Sequence, residues 1–385
     1  VLGRRSAGHD VPRSHAGARW GARDRHRRRD GLHYYLFDHH IAPLHWFHQL
    51  TRSGWLGVDL FFVLSGFLIT GILLDQREKR PSARAFFQTF YVRRTLRIFP
   101  LYYATLFVVF GVLAWTPLFH EPSFDALERE QIWLWLYAVN WVNWVRGTLV
   151  FVSDSFEANH LWSLAAEEQF YLLWPAIVWA LSARTLARVS LGIVAASFLA
   201  KALLAPGEEA LMLFRADGLV LGALLATQVR DPHAKRYVER LSRPTLALGV
   251  LALLVLFVLR DGLLHGDPWM ARAGTSLVAV TCAAAVVESV RAPAESLVGR
   301  ALRARALAFL GRYSYGIYVL HWAFHPLFDR WFFELVPREP TGVAVLDGLF
   351  VTLVKSAAAI GAAVAVHHAL EAPLLKVKDR FAPNR

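Results

Sequence analysis

Four places in the chain set ionisable side chains among long apolar runs, where they are costly and therefore mark candidate sites. GWLGVDLFFVLSGFLITGILL (54–74) carries Asp59 in its first turns, with Ser65 and Gly66 at mid-depth. YVRRTLRIFPLYY (91–103) sets Arg94 and Arg97 three apart, on one helical face at the end of an apolar run, with Pro100 one turn further in. NHLWSLAAEEQFYLLWP (159–175) offers Ser163 as an N-cap and places Glu167 and Glu168 in the first turn of the helix that follows. The fourth place is a pair of segments: LFRADGLVLG (213–222), with Arg215 and Asp217, and GRYSYGIYVLHW (311–322), with His321 inside an apolar helix.

Each of these has a plain reading beside a chemical one. Asp59 can cap a helix or occupy its positive end. Arg94 and Arg97 are either a basic stop at a membrane boundary or a guanidinium fork for phosphate or pyrophosphate. Glu167 and Glu168 alone would be ordinary helix-start acids. A single His on an apolar face, such as His321, is more often a hydrogen-bonded structural residue than a catalyst. Gly218 and Gly222 form a GxxxG, which usually means close helix packing. Near the start, His33, His39, His40, His45 and His48 fall within sixteen residues without the regular spacing of a metal site. His33 and Asp38 also form an H-x4-D pattern, which two fixed positions produce easily by chance.

The elements that must position these groups are membrane helices. Apolar residues make up 55% of the 385 and charged residues only 19%, against about 25% charged in soluble domains. A single cysteine, Cys282, excludes an intrachain disulfide framework. Apolar runs of about 20 residues, enough to cross the hydrocarbon of a bilayer, lie near 54–74, 98–116, 164–182, 190–205, 212–229, 245–260, 273–290, 313–332 and 343–370. The expected fold is all-α: a polytopic membrane bundle of about 9–10 transmembrane helices. The Trp-rich segment 131–150, with Asn140, Asn143 and Arg146, belongs on the membrane surface rather than across it.

With 131–150 kept out of the bilayer, the loops alternate sides. Loops 75–97, 183–189, 230–244, 291–312 and the chain after 371 hold 23 Lys and Arg, against 4 in loops 117–163, 206–211, 261–272 and 333–342. Such a bias places the basic loops and the C-terminus in the cytoplasm of a multi-pass protein of the inner (plasma) membrane. The net charge of +12 is then topological, and nucleic acid is not an expected partner. The first 30 residues, with nine Arg and no apolar run, form an atypical segment, disordered or misread, ahead of a membrane domain at 31–372 and a cytoplasmic tail at 373–385.

Taken in order, five strings resemble the acyltransferase family 3 proteins, membrane O-acyltransferases that acetylate cell-surface sugars and some antibiotics. They are GVDLFFVLSGFL (57–68), RRTLRIFPLYY (93–103), WSLAAEEQFYLLWP (162–175), FRADGLVLGALLA (214–226) and YSYGIYVLH (313–321). One string alone is a weak signal, whereas five in series over about residues 33 to 370 are specific. The resemblance implies transfer of an acyl group, usually acetyl from acetyl-CoA, to a hydroxyl of a carbohydrate or glycolipid, with no permanently bound cofactor. It also implies a catalytic His ahead of GVDLFF, for which His33 is the best match and His39, His40, His45 and His48 are competitors. The family's first span, with its Arg- and Asp-containing entry, is missing ahead of LHYYLFDHH, which brings the activity of the chain into question. The chain ends soon after the last apolar run and carries no GDS-type nucleophile motif, so a stand-alone membrane domain is expected.

On that reading His33 is the base, with Glu167 or Asp59 as its orienting partner, or else it carries the acyl group covalently. Arg94 and Arg97 contact the CoA phosphates, and Trp162, Ser163, Arg215, Asp217, Tyr318 and His321 shape the acceptor pocket. Asp59, Glu167, Arg215 and Asp217 are expected towards the face opposite the arginines. A flippase for a lipid-linked sugar would also bury charges but should show internal repeats, and none is visible. An inactive fragment is the remaining alternative.

Overall fold

The computed structural model describes residues 42–79, 82–204, 212–264, 266–335 and 344–381, and His33, His39 and His40 lie outside them. The described residues are mainly helical, joined by turns and loops, with one isolated bridge between Val152 and Glu157. Its helices are α1 (Ala42–Arg52), α2 (Leu56–Lys79), α3 (Ala83–Leu106), α4 (Pro122–Arg129), α5 (Ile132–Trp135), α6 (Val139–Arg146), α7 (Trp162–Ala180), α8 (Ala183–Leu204) and α9 (Met212–Gln228). There follow α10 (Pro232–Leu259), α11 (Thr275–Arg291), α12 (Leu297–Leu302), α13 (Arg305–Ala323), α14 (His325–Leu335), α15 (Ala344–Val366) and α16 (Ala372–Phe381). The protein is an all-α polytopic membrane bundle.

Local chemistry explains where the helices start. Ser82 caps α3 by accepting from Ala85 N, Asp231 caps α10 by accepting from His233 N and Ala234 N, and Ser296 caps α12 through Gly299 N. Pro232 follows its cap, where a missing N–H costs nothing. The two backbone N–H groups that bond the exposed Asp231 carboxylate hold it below the usual carboxylate range.

Six stretches are long and apolar enough to cross a membrane: Gln49–Lys79, Ala83–Trp115, Ala183–Leu204, Pro232–Leu259, Met270–Arg291 and Leu346–Lys376. The other expected spans are shorter or more polar helices. The stretch expected as one span at 313–332 is broken: α13 ends at Ala323, Phe324 leaves the helical conformation, and α14 restarts at His325. Pro326 is the cause, because it can donate no hydrogen bond to a continuing helix yet fits the first turn of a new one. The 131–150 segment is likewise not a span. It is split at Leu136–Ala138 into α5 and α6, of four and eight residues, and Trp141 and Trp144 stay half-exposed.

Contacts at the two ends of the bundle follow the alternation read from the charges. At one end Arg230 pairs with Asp75 at 2.7 Å, Arg77 donates to the carbonyls of Val178 and Leu181, and Arg291 donates to Glu239 O. The Arg77 contacts satisfy carbonyls left open where α7 ends. At the other end Glu157 N donates to Ala323 O, Arg330 approaches Glu121 at 3.5 Å, and Trp55 Nε1 donates to Leu263 O.

Helix α9 lies at the centre, pressed against α2 and α8. The backbone of α2 meets that of α9 so closely that a Cβ at Gly66 would overlap the Leu219 carbonyl, and one at Gly222 would overlap the Val63 carbonyl. Small residues allow this approach where hydrophobic driving force between helices is absent. Gly222→Ala is expected to destabilise the folded protein by about 1–3 kcal/mol, read as a lowered thermal midpoint in detergent or nanodiscs. Gly192→Ala, where a Cβ meets nothing, should leave the midpoint in place.

Candidate active site

Two buried ion pairs sit on α9, two residues apart. Arg215 meets Asp59 of α2 at 2.9 Å, with both side chains 4% exposed. Its guanidinium lies over the rings of Trp162, Trp55 and Phe62, at 5.3, 5.9 and 5.9 Å from their centroids, an arrangement that suits a planar cation. Asp217 pairs with Lys201 of α8 and accepts from Ser276 Oγ of α11 at 2.7 Å, and Lys201 also donates to Thr275 Oγ1. Lys201 was absent from the sequence reading. An ammonium group within the 190–205 run was the signal that could have found it. Asp59 Oδ2 and Arg215 Nε are buried without a hydrogen-bond partner.

A second network joins α2 to α7. Ser65 Oγ donates to Glu167 Oε1 at 2.5 Å, Tyr171 OH donates to the same oxygen, and the two hydroxyls are 2.7 Å apart. Arg94 of α3 stands over the Tyr171 ring at 5.1 Å, and both Arg94 and Arg97 act electrostatically on Glu167. The arginines are therefore not at the end of their helix. Helix α3 starts at Ala83, which puts Arg94 about 16 Å along it. The expected separation of the guanidinium groups from Glu167 across the bundle is replaced, for Arg94, by a meeting at Tyr171. Asp59 and Glu167 belong to different networks, since Asp59 and Ser65 are about 9 Å apart along α2.

A third cluster closes the entrance of α7. Ser163 is not the N-cap: the helix starts at Trp162, and the buried Ser163 hydroxyl donates to the Tyr318 oxygen. Nor are the two glutamates in the first turn, which holds no acid. Tyr318 OH donates to His160 O at 2.6 Å. His321 Nδ1 contacts the carbonyls of Ile317 and Tyr318 in its own helix, and His160 Nε2 contacts Val319 O at 3.3 Å. These carbonyls can only accept, so each contacting nitrogen carries the proton. The opposite nitrogen of each ring keeps its lone pair. His160 Nδ1 is buried with no partner. His160 was also overlooked, although it stands inside the 159–175 string. Burial, reinforced by the neighbouring His321, holds its imidazole well below its ordinary pKa.

Of the competing histidines, His45 is engaged by Asp261. Among the described residues no group of three His, Cys, Asp or Glu could hold a metal.

A profile described as an acyltransferase domain matches residues 31–368. The chain belongs to this acyltransferase family. Its relatives include the peptidoglycan O-acetyltransferase OatA of Listeria monocytogenes, 31% identical over 288 residues, which are 71% of this chain and 45% of that protein. The putative peptidoglycan O-acetyltransferase YrhL of Bacillus subtilis is 31% identical over 289 residues, 71% of this chain and 44% of that protein. The O-acetyltransferase OatA of Staphylococcus aureus is 28% identical over 298 residues, again 71% of this chain and 46% of that protein. The chain thus matches less than half the length of these relatives. No solved structure matches it.

In this chain His160 gives a pH dependence with a defined sign. Its folded pKa lies below the unfolded value, so the unfolded state binds more protons as pH falls below about 6.5, and stability falls with it. The thermal midpoint should therefore drop between pH 7 and 5. His160→Gln should flatten that drop, and an unchanged slope in the variant would contradict the assignment.

Proposed function

We propose that this chain is the membrane domain of an O-acetyltransferase that moves an acetyl group from acetyl-CoA to a hydroxyl of a cell-envelope glycan. The observation that carries the reading is Arg94 seated over the ring of Tyr171, whose hydroxyl donates to Glu167. A guanidinium group suited to a polyanionic carrier then stands near a carboxylate suited to orienting a base. The relatives' names support acetyl as the group transferred and peptidoglycan as the glycan. The 23-to-4 charge bias supports a cytoplasmic approach for the donor, a cytoplasmic C-terminus and an inner-membrane location.

In this mechanism Arg94 and Arg97 hold the CoA phosphates and leave the thioester carbonyl facing the bundle. His33 takes the proton of the acceptor hydroxyl as its oxygen attacks the carbonyl carbon. The tetrahedral intermediate collapses with breakage of the C–S bond, the thiolate leaves, and the proton passes from the imidazole to the departing sulfur. Glu167 steadies the charged imidazole, while Asp59, fixed by Arg215, holds the aromatic wall of Trp55, Phe62 and Trp162 in place. Ser163, Tyr318 and His321, with Arg215 and Asp217, form the acceptor side of the pocket.

The test is transfer of radiolabelled acetyl groups from acetyl-CoA to a panel of glycans by the full-length protein in proteoliposomes. His33→Ala should lower transfer at least 100-fold, the scale of general-base catalysis. Arg94→Gln should raise the KM for acetyl-CoA. Absence of transfer by the full-length protein, or undiminished transfer by His33→Ala, overturns the proposal.

A further inference from the structure

Tyr137 is a non-glycine residue held in the left-handed region, at φ 53°. An aromatic residue adopts that conformation only where its surroundings enforce it, and such strain gathers at functional sites. The enforcing contact comes from α7, where Gln169 Nε2 donates to Tyr137 O at 2.9 Å and exchanges hydrogen bonds with Asn140. The Tyr137 ring stacks on Tyr102 at 4.1 Å and runs nearly parallel to Phe99 at 5.8 Å.

The Tyr137 hydroxyl is buried, in a residue only 7% exposed, and has no hydrogen-bond partner. Glu168, next to the residue that pins Tyr137, has its Oε1 in the same condition. Glu168 acts electrostatically on Tyr102, Tyr103, Tyr137 and Tyr315, and is itself acted on by Glu167 and Arg94. Three of these tyrosines have spent their hydroxyls: Tyr102 donates to Leu134 O, Tyr103 to Trp135 O and Tyr315 to Ile98 O. The Tyr137 hydroxyl and Glu168 Oε1 remain, two buried polar groups with no partner. Native proteins seldom leave such groups unsatisfied, because each costs free energy.

We infer that Tyr137 and Glu168 form a carbohydrate subsite for the acceptor. There Glu168 accepts from a sugar hydroxyl, the Tyr137 hydroxyl donates to a sugar oxygen, and the apolar face of the ring rests on the aromatic wall. The inference rests on the glycan-acceptor reading above. A carboxylate oxygen without a partner suits a hydroxyl donor, and apolar walls with a few placed polar groups are the usual make-up of such sites. The subsite lies one residue along α7 from Glu167 and would hold the acceptor close to the meeting point of Arg94 and Tyr171.

The full-length protein in nanodiscs is titrated with soluble peptidoglycan glycan strands, and binding is followed by tryptophan fluorescence. Saturable binding is expected, weakened about tenfold in both Tyr137→Phe and Glu168→Gln, with the KM for acetyl-CoA and the thermal midpoint of Tyr137→Phe unchanged. Tyr137→Phe keeps the ring stack, and Glu168→Gln is a second variant should the first fold poorly. Absence of saturable binding, unaltered affinity in both variants, or a rise in the KM for acetyl-CoA instead overturns the subsite. Acetyl transfer is measured separately. Wild-type protein that binds strands without transferring acetyl refutes the proposed reaction and leaves the subsite standing, whereas transfer with unaffected variants refutes the subsite alone.

Discussion

Charge inside a bilayer has to be matched, and the bundle is organised around one place where that is done twice. Arg215 and Asp217 on α9 draw in Asp59 from α2 and Lys201 from α8, and Asp217 also takes a hydroxyl from α11. Four helices are thereby fixed to one another by groups that none of them could carry alone, since an unpaired charge at that depth is costly. The close backbone contacts at Gly66 and Gly222 hold α2 and α9 together along the same seam that the Asp59–Arg215 pair crosses. Such pairs add little net stability compared with apolar packing, but they set the register of the helices.

With that register set, the buried polar contacts gather on α7. Its residues face α2 through Glu167 and Ser65, α3 through Tyr171 and Arg94, and α13 through Ser163 and Tyr318. Trp174 adds a further bond from α7 to Thr70 of α2. The polar groups thus form a seam that passes between packed aromatic rings. Burial of this kind strengthens each electrostatic contact within the seam.

Much of this was legible in the sequence because membrane helices announce themselves by length, apolarity and loop charge. The interruption at 131–150 could be read from its tryptophans and asparagines, and the spans from their runs. The GxxxG at Gly218 and Gly222 gave the close packing its position, though not its partner. Depth and pairing were harder. Arg94 and Arg97 were placed at a helix end because apolar residues begin at Ile98, yet the α3 cap at Ser82 lies sixteen positions further back than that boundary. Lys201 is hidden inside an apolar run and His160 in a loop, whereas the break at Phe324 is signalled in the sequence by Pro326. The pairing of Lys201 and the burial of His160 depend on which helix lies alongside, and a linear pattern carries no such information.

The most direct measurement is a double-mutant cycle on the α9 anchor, with unfolding free energies of wild type, Lys201→Met, Asp217→Asn and the double variant in nanodiscs. The account predicts that each single change costs about 3–5 kcal/mol, because it strands a buried charge, and that the double variant is markedly less destabilised than the sum. Additive losses would contradict it.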